Sequence, residues 1–96
     1  GVHYSKAFPN PSVVDIGVRV VSTGGLVPEA ATLQVVDMKG TVVKAQRFES
    51  SYFNGATNDI RWSNEGLRPG IYFYEMELVV SGKRYRTNGR YVVRSF

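Results

Sequence analysis

A single histidine, eight carboxylates and no cysteine set the limits on what this 96-residue chain can do chemically. A Ser–His–Asp or Cys–His site needs its histidine held by a third group, and His3 falls in the first residues of the chain, where the sequence gives no sign of an anchoring element. One histidine excludes a three-histidine or two-histidine–carboxylate metal centre. The lack of cysteine excludes disulfides, zinc knuckles, thiol nucleophiles and iron–sulfur clusters, while leaving the redox compartment open. The carboxylates do not form the Asp-rich loop that calcium requires. Glu75 and Glu77 stand two apart on one strand face, a spacing open to an acid–base pair, but arginines facing them across a sheet explain them as a solvated face. Gly24-Gly25 punctuates a loop, and no phosphate-binding fingerprint follows it. No catalytic set, cofactor or metal is therefore expected.

The cations are more informative. Of the net charge of +4, residues 81–96 carry +5, from Lys83, Arg84, Arg86, Arg90 and Arg94 with no acidic residue, so the remaining eighty residues sum to −1. Together with Tyr91 these five form the candidate recognition set. A basic stripe interleaved with Tyr85 and Tyr91 has the composition of a polyanion-binding surface. The plainer reading is a solvated edge whose charges discourage edge-to-edge pairing. Among partners, an acidic surface polysaccharide or a protein receptor ranks ahead of nucleic acid, which is not expected. A rival class is a carbohydrate-binding module, in which Tyr52 and Phe53, placed in a loop, would form a flat stacking platform, whereas Trp62, Tyr72 and Tyr74 fall on inward faces.

The elements that must position these residues are strands. Period-two alternation dominates, and no window has the spacing of an amphipathic helix. Residues 13–21 read as a half-buried strand with Val14, Ile16, Val18 and Val20 inward. Residues 31–49 read as a hairpin turning at Asp37-Met38-Lys39-Gly40. Pairing Asp37 with Thr41 puts Leu33, Val35, Val43 and Ala45 on one face and sets Gln34 opposite Lys44. Residues 58–62 form a short strand with Ile60 and Trp62 inward. Residues 71–80 form the longest, with Tyr72, Tyr74, Met76, Leu78 and Val80 on one face. A two-residue Ser81-Gly82 turn returns the chain through residues 83–87, placing Leu78 beside Tyr85 and Glu77 beside Arg86. Asn88-Gly89 then breaks the run before a last strand, residues 90–94.

Seven short strands with turn signals every eight to twelve residues predict an all-β, immunoglobulin-like β-sandwich of antiparallel strands. At 96 residues it is a single domain, residues 1–96, with room for a core but little for a deep catalytic cleft. No apolar run approaches the length of a membrane-spanning helix. No basic-then-apolar leader opens the chain, so it reads as a mature chain, a fragment or a domain cut from a longer protein, and Gly1, not an initiator methionine, favours the fragment.

Three segments taken in order resemble a known family. They are Phe8-Pro9-Asn10-Pro11, then Leu33-Gln34-Val35-Val36-Asp37-Met38-Lys39-Gly40-Thr41-Val42-Val43, then Leu67-Arg68-Pro69-Gly70-Ile71-Tyr72-Phe73-Tyr74; Trp62 and Arg90-Tyr91-Val92-Val93-Arg94 fit the pattern too. This order and spacing is similar to that of the C-terminal domains of type IX secretion substrates of Bacteroidetes and of FlgD-like immunoglobulin domains. The resemblance implies an exported, non-catalytic targeting domain at the outer membrane or cell surface. It would be read by outer-membrane translocon and shuttle proteins and by a sortase complex that removes it and joins the cargo to lipopolysaccharide. Arginines stand where such signals commonly finish on lysines, Ser95-Phe96 extends past the last strand, and the hairpin through Ser81-Gly82 is long. These departures fit a second member of the family, the uncleaved C-terminal domain of the gingipain-like sortase itself.

Overall fold

Alternating apolar and polar residues bury one face of a strand and wet the other, and strands so patterned are satisfied by stacking two sheets around a shared core. The computed structural model, which describes residues 1–95, places seven strands in that arrangement. They are β1 (Val2–Tyr4), β2 (Asp15–Ser22), β3 (Ala30–Val36), β4 (Val42–Phe48), β5 (Thr57–Ser63), β6 (Gly70–Val80) and β7 (Lys83–Val93). One sheet has the order β1-β2-β5 and the other β4-β3-β6-β7, and neighbouring strands are antiparallel throughout. Two single 3₁₀ turns, Thr23–Gly25 and Ser50–Tyr52, are the only helical pieces among the described residues. The fold is the all-β, immunoglobulin-like sandwich that the alternation predicts. Tyr72 adds a device common in such sandwiches: its hydroxyl donates to the Arg68 carbonyl, 2.7 Å away and four residues upstream, pinning the loop into β6.

The inward residues of β6 are all buried, as predicted, and the β6–β7 register pairs Leu78 with Tyr85 and Glu77 with Arg86. Ser81 and Gly82 both take positive φ, 50° and 72°, the geometry that joins two strands through two residues. Elsewhere the molecule departs from the sequence reading. The strand expected at residues 13–21 starts at Asp15, and Val14 is 61% exposed, although its carbonyl still accepts from the Asn64 N–H in the β2–β5 register. The first residues are not loose: β1 pairs His3 with Val21 and packs Val2 and Tyr4 on the core, a strand too short to register as alternation. The 31–49 hairpin does close between Asp37 and Thr41, but a bulge after Val36 and Val42 shifts the ladder by one. Gln34 therefore faces Ala45 rather than Lys44, Val35 faces Lys44, and Val43 and Ala45 lie exposed instead of in the core. A bulge re-aims every residue beyond it.

Asn88-Gly89 does not break the last strand, which runs unbroken from Lys83 to Val93. Gly89 is there for space. It pairs with Tyr74, whose ring lies so close that a Cβ at position 89 would stand 2.6 Å from the Tyr74 hydroxyl oxygen. The count of seven strands thus agrees with the sequence, but β1 is a strand the alternation misses and β7 is one strand where two were expected.

The two sheets are joined along one side by the Pro-rich segment. Phe8 exchanges backbone hydrogen bonds with Gly17 of β2 at 2.9 and 2.8 Å, while Ser12 pairs in parallel with Val93 of β7. The Ser12 N–H donates to the Val92 carbonyl and the Arg94 N–H to the Ser12 carbonyl, both at 2.8 Å; the Val92 N–H donates to Asn10 Oδ1 at 3.0 Å. Both prolyl bonds of the segment, Phe8–Pro9 and Asn10–Pro11, are cis. Beneath it runs a buried chain of donors. Trp62 Nε1–H donates to Tyr91 Oη at 3.2 Å, and Tyr91 Oη–H to Asn64 Oδ1 at 3.1 Å. Asn64 Nδ2–H in turn donates to Ser12 Oγ, and Ser12 Oγ–H to the Asp15 carbonyl, both at 2.6 Å. Burial of these polar groups is tolerated because each has a partner.

Three outcomes follow. Gly89→Ala should lower stability by about 1–3 kcal/mol, since Tyr74 must leave its place to admit a methyl group, read as a lower urea midpoint. Asn64→Ala, which removes the acceptor of the Tyr91 hydroxyl and the amide donor to Ser12 Oγ, should cost about 1–3 kcal/mol and lower the melting temperature; an unchanged midpoint would show the chain of donors to be unimportant. Burial pushes the Tyr4 phenol up to about 12 and raises Tyr74 and Tyr91 as well. Phenols held neutral by the fold stabilise it fully below the unfolded pKa near 10, and that contribution disappears as pH climbs toward 12. Tyr4→Phe should therefore lose less stability than the parent between neutral pH and about pH 11, measured by denaturant titration at each pH.

Candidate functional site

Strand alternation sorts the terminal hairpin into two faces. On β7, Tyr85, Thr87, Gly89, Tyr91 and Val93 point toward the second sheet, whereas Arg84, Arg86, Asn88, Arg90 and Val92 point to solvent. Arg94 follows the strand, its N–H held by Ser12. The cations expected to act together thus do share the outer face, with Lys83 exposed at the turn. Tyr91 does not belong with them. It is 0% exposed, with its ring centroid 5.9 Å from that of Trp62 and 6.1 Å from that of Tyr72, so as a surface recognition residue it is a mistaken choice. Its odd number on the strand carried the signal, since the arginines of the outer face are all even.

The outer face is not uniformly positive. Arg86 Nε lies 2.7 Å and Arg84 Nη1 3.3 Å from the two oxygens of Glu77, whose carboxyl is held below the usual range chiefly by the Arg86 hydrogen bond. Exposed pairs of this kind add little stability, but they fix two guanidinium groups over the middle of the sheet. Glu75, the other carboxylate of the supposed pair, faces Asn88. Among the described residues, Lys83, Arg90 and Arg94 have no carboxylate within ion-pair distance. The smaller sheet is different: Arg19 grips Asp59 through two contacts at 2.7 and 3.1 Å, and Arg61 reaches Asp15 at 3.0 Å, so its outer charges are satisfied internally. Within the terminal hairpin, positive charge without an ion-pair partner among the described residues therefore lies at the two ends of β7.

The other candidates resolve simply. His3 is exposed on β1, and no cluster of three metal-binding side chains exists among the described residues. Tyr52 is 42% exposed, but its hydroxyl is committed to the Asp59 carbonyl and the Arg61 N–H. Phe53, expected beside it at the surface, is 5% exposed, and the two rings meet at 75°. They offer no coplanar platform for a sugar ring. Sequence reasoning also passed over Ser12 and Asn64, the polar links beneath the terminal strand; a serine and an asparagine outside any alternating run leave no trace in a hydrophobic pattern.

A search of curated protein sequences returns no match. Among solved structures, dimeric latent PorU from Porphyromonas gingivalis contains a stretch of similar fold, with a TM-score of 0.69 and 17% identity; the match covers 100% of this chain and 10% of PorU. No helix among the described residues is long and apolar enough to cross a membrane. The family model described as a secretion system C-terminal sorting domain matches residues 6–94, from the Pro-rich lead to the end of the basic strand. The chain belongs to the family of type IX secretion C-terminal sorting domains, carriers of the signal that directs a protein for export.

Proposed function

We propose that the domain docks an exported protein onto the outer-membrane translocon, its shuttle proteins and the sortase complex through the cationic outer face of β7, without catalysis of its own. The observation that carries this is the placement of Arg90 and Arg94: both belong to the segment matched by the family model, stand at the end of the sandwich, and lack any ion-pair partner among the described residues. A rigid scaffold fixes their position, since Val92, between them, is clamped on its free side by Asn10 and Ser12. Acidic surface polysaccharide is the second ligand class that such a face would attract. Any enzymatic activity belongs to the rest of the protein that carries the domain, residues 1–96 being one unit of it and its C-terminal one. A sortase of the PorU kind, keeping its domain uncleaved, is a second reading, to which the similar fold within PorU lends support.

Fusion of the chain behind a periplasmic reporter in a type IX-secreting bacterium should deliver the reporter to the cell surface. Arg90→Glu combined with Arg94→Glu, substitutions on an exposed face that leave the core intact, should cut surface delivery by about ten-fold and leave the reporter in the periplasm. Undiminished delivery of the doubly reversed domain would dismiss the cationic face. Mass spectrometry of the exported product separates cargo from sortase: cargo loses the domain, the sortase retains it.

A further inference from the structure

The solvent side of a two-layer sandwich is ordinarily polar, yet the outer face of the larger sheet carries an apolar row. Register places Val42 of β4 beside Val36 of β3, Val36 beside Phe73 of β6, and Phe73 beside Arg90 of β7. The next pair toward the end of the sandwich is Ile71 with Val92. Val42 is 48% exposed and Phe73 39% exposed, so these side chains meet water rather than one another's cover. The face is also dished. A depression of about 440 Å³ is lined by Phe73, Val36 and Gly89 together with the polar Gln34, Glu75, Asn88 and Arg90.

Three features decide what fits. The five apolar side chains present a patch on the ~300 Å² scale of the largest patch on an ordinary monomer, far below the ~800 Å² per partner of a stable interface. That size suits a short segment, not a second copy of the sandwich. The concavity receives a protruding side chain and disfavours a flat lipid surface. The charge is split across the row: Glu75 borders the dish on the side of Asn88, whereas toward Ile71 and Val92 the flanking charge is positive and unpaired, Arg90 at the end of the row and Arg94 beyond Val92, Arg84 and Arg86 being occupied by Glu77. We propose that the row from Val42 through Val36 and Phe73, with Ile71, Val92 and Arg90, is a docking groove for an extended protein segment that alternates apolar and acidic residues. This rests on the docking function proposed above and names the chemistry of its partner: apolar side chains seat in the dish and carboxylates meet Arg90 and Arg94.

The test is a nuclear magnetic resonance titration of the 96-residue chain. The probe is a capped seven-residue peptide of alternating aspartate and valine with a central phenylalanine, beside its lysine-for-aspartate counterpart and anionic phosphatidylglycerol vesicles. Saturable shifts confined to the rows of Val36, Phe73 and Val92, absent with the lysine peptide and weakened about ten-fold by Arg90→Glu, are the expected result. Phe73→Ser should abolish them, and Val42→Thr, on the exposed edge strand, should weaken them if Phe73→Ser fails to give a folded spectrum. Binding of both peptides alike, binding of vesicles alone, shifts elsewhere on the domain, or no shifts at all would overturn the proposal. In the export assay, a wild-type domain that fails to deliver the reporter would refute the docking function while leaving the peptide result intact. A Phe73→Ser domain that is exported normally, where wild type is exported too, would overturn the groove alone.

Discussion

The terminal strand of this sandwich is held in place by hydrogen bonds made where water cannot compete. From the Trp62 indole through the Tyr91 hydroxyl, Asn64 and Ser12 to the Asp15 carbonyl, each donor meets the next acceptor, and the elements they join are β5, β7, the loop after β5 and the lead into β2. In a buried setting an unmatched member costs more than a matched one contributes. The chain of partners therefore works as a single condition: either the Pro-rich segment, the tryptophan strand and the basic strand are all seated, or none is comfortable. Segments distant in sequence are thereby tied to one another in this fold. None of them is reactive; they meet at one place in the fold.

That constraint also accounts for the exterior. With Tyr91 and Val93 committed inward, the alternation of β7 forces Arg90 and Val92 outward, and the Ser12 and Asn10 contacts keep this end of the strand from fraying. A cation offered on a rigid strand is a better recognition element than one on a mobile tail, because less ordering entropy is lost when a partner binds. The same rigidity leaves the apolar row of the outer face standing in water, since the core has no room to take it in.

Much of the fold was legible because alternation in β6 and β2 is strong and because Ser81-Gly82 can close only a tight hairpin. The core faces, the β6–β7 register and the seven-strand sandwich follow from that. What escaped did so for particular reasons. The bulge at β4 shifts a ladder by one residue without altering composition, so Val43 and Ala45 look like core and are not. Gly89 reads as a strand breaker when it is a clearance for the Tyr74 ring. Of the six candidate recognition residues, the five cations lie on the surface of the hairpin, but Tyr91, next to Arg90 in sequence, lies on the opposite face from it, as strand alternation requires.

The parallel pairing of Ser12 with Val93 has a mechanical side. Antiparallel neighbours pulled from the ends of a hairpin separate one bond at a time, whereas segments running in the same direction, tugged from the start of one and the finish of the other, slide along their length and share the load. The bonds from Ser12 to Val92 and Arg94, with the Asn10 contact beside them, lie across that line of pull. A pull on the chain just before Ser12 and just after Arg94 thus loads a sheared clasp rather than a zipper, and the end of β7 is set to keep its shape under such traction.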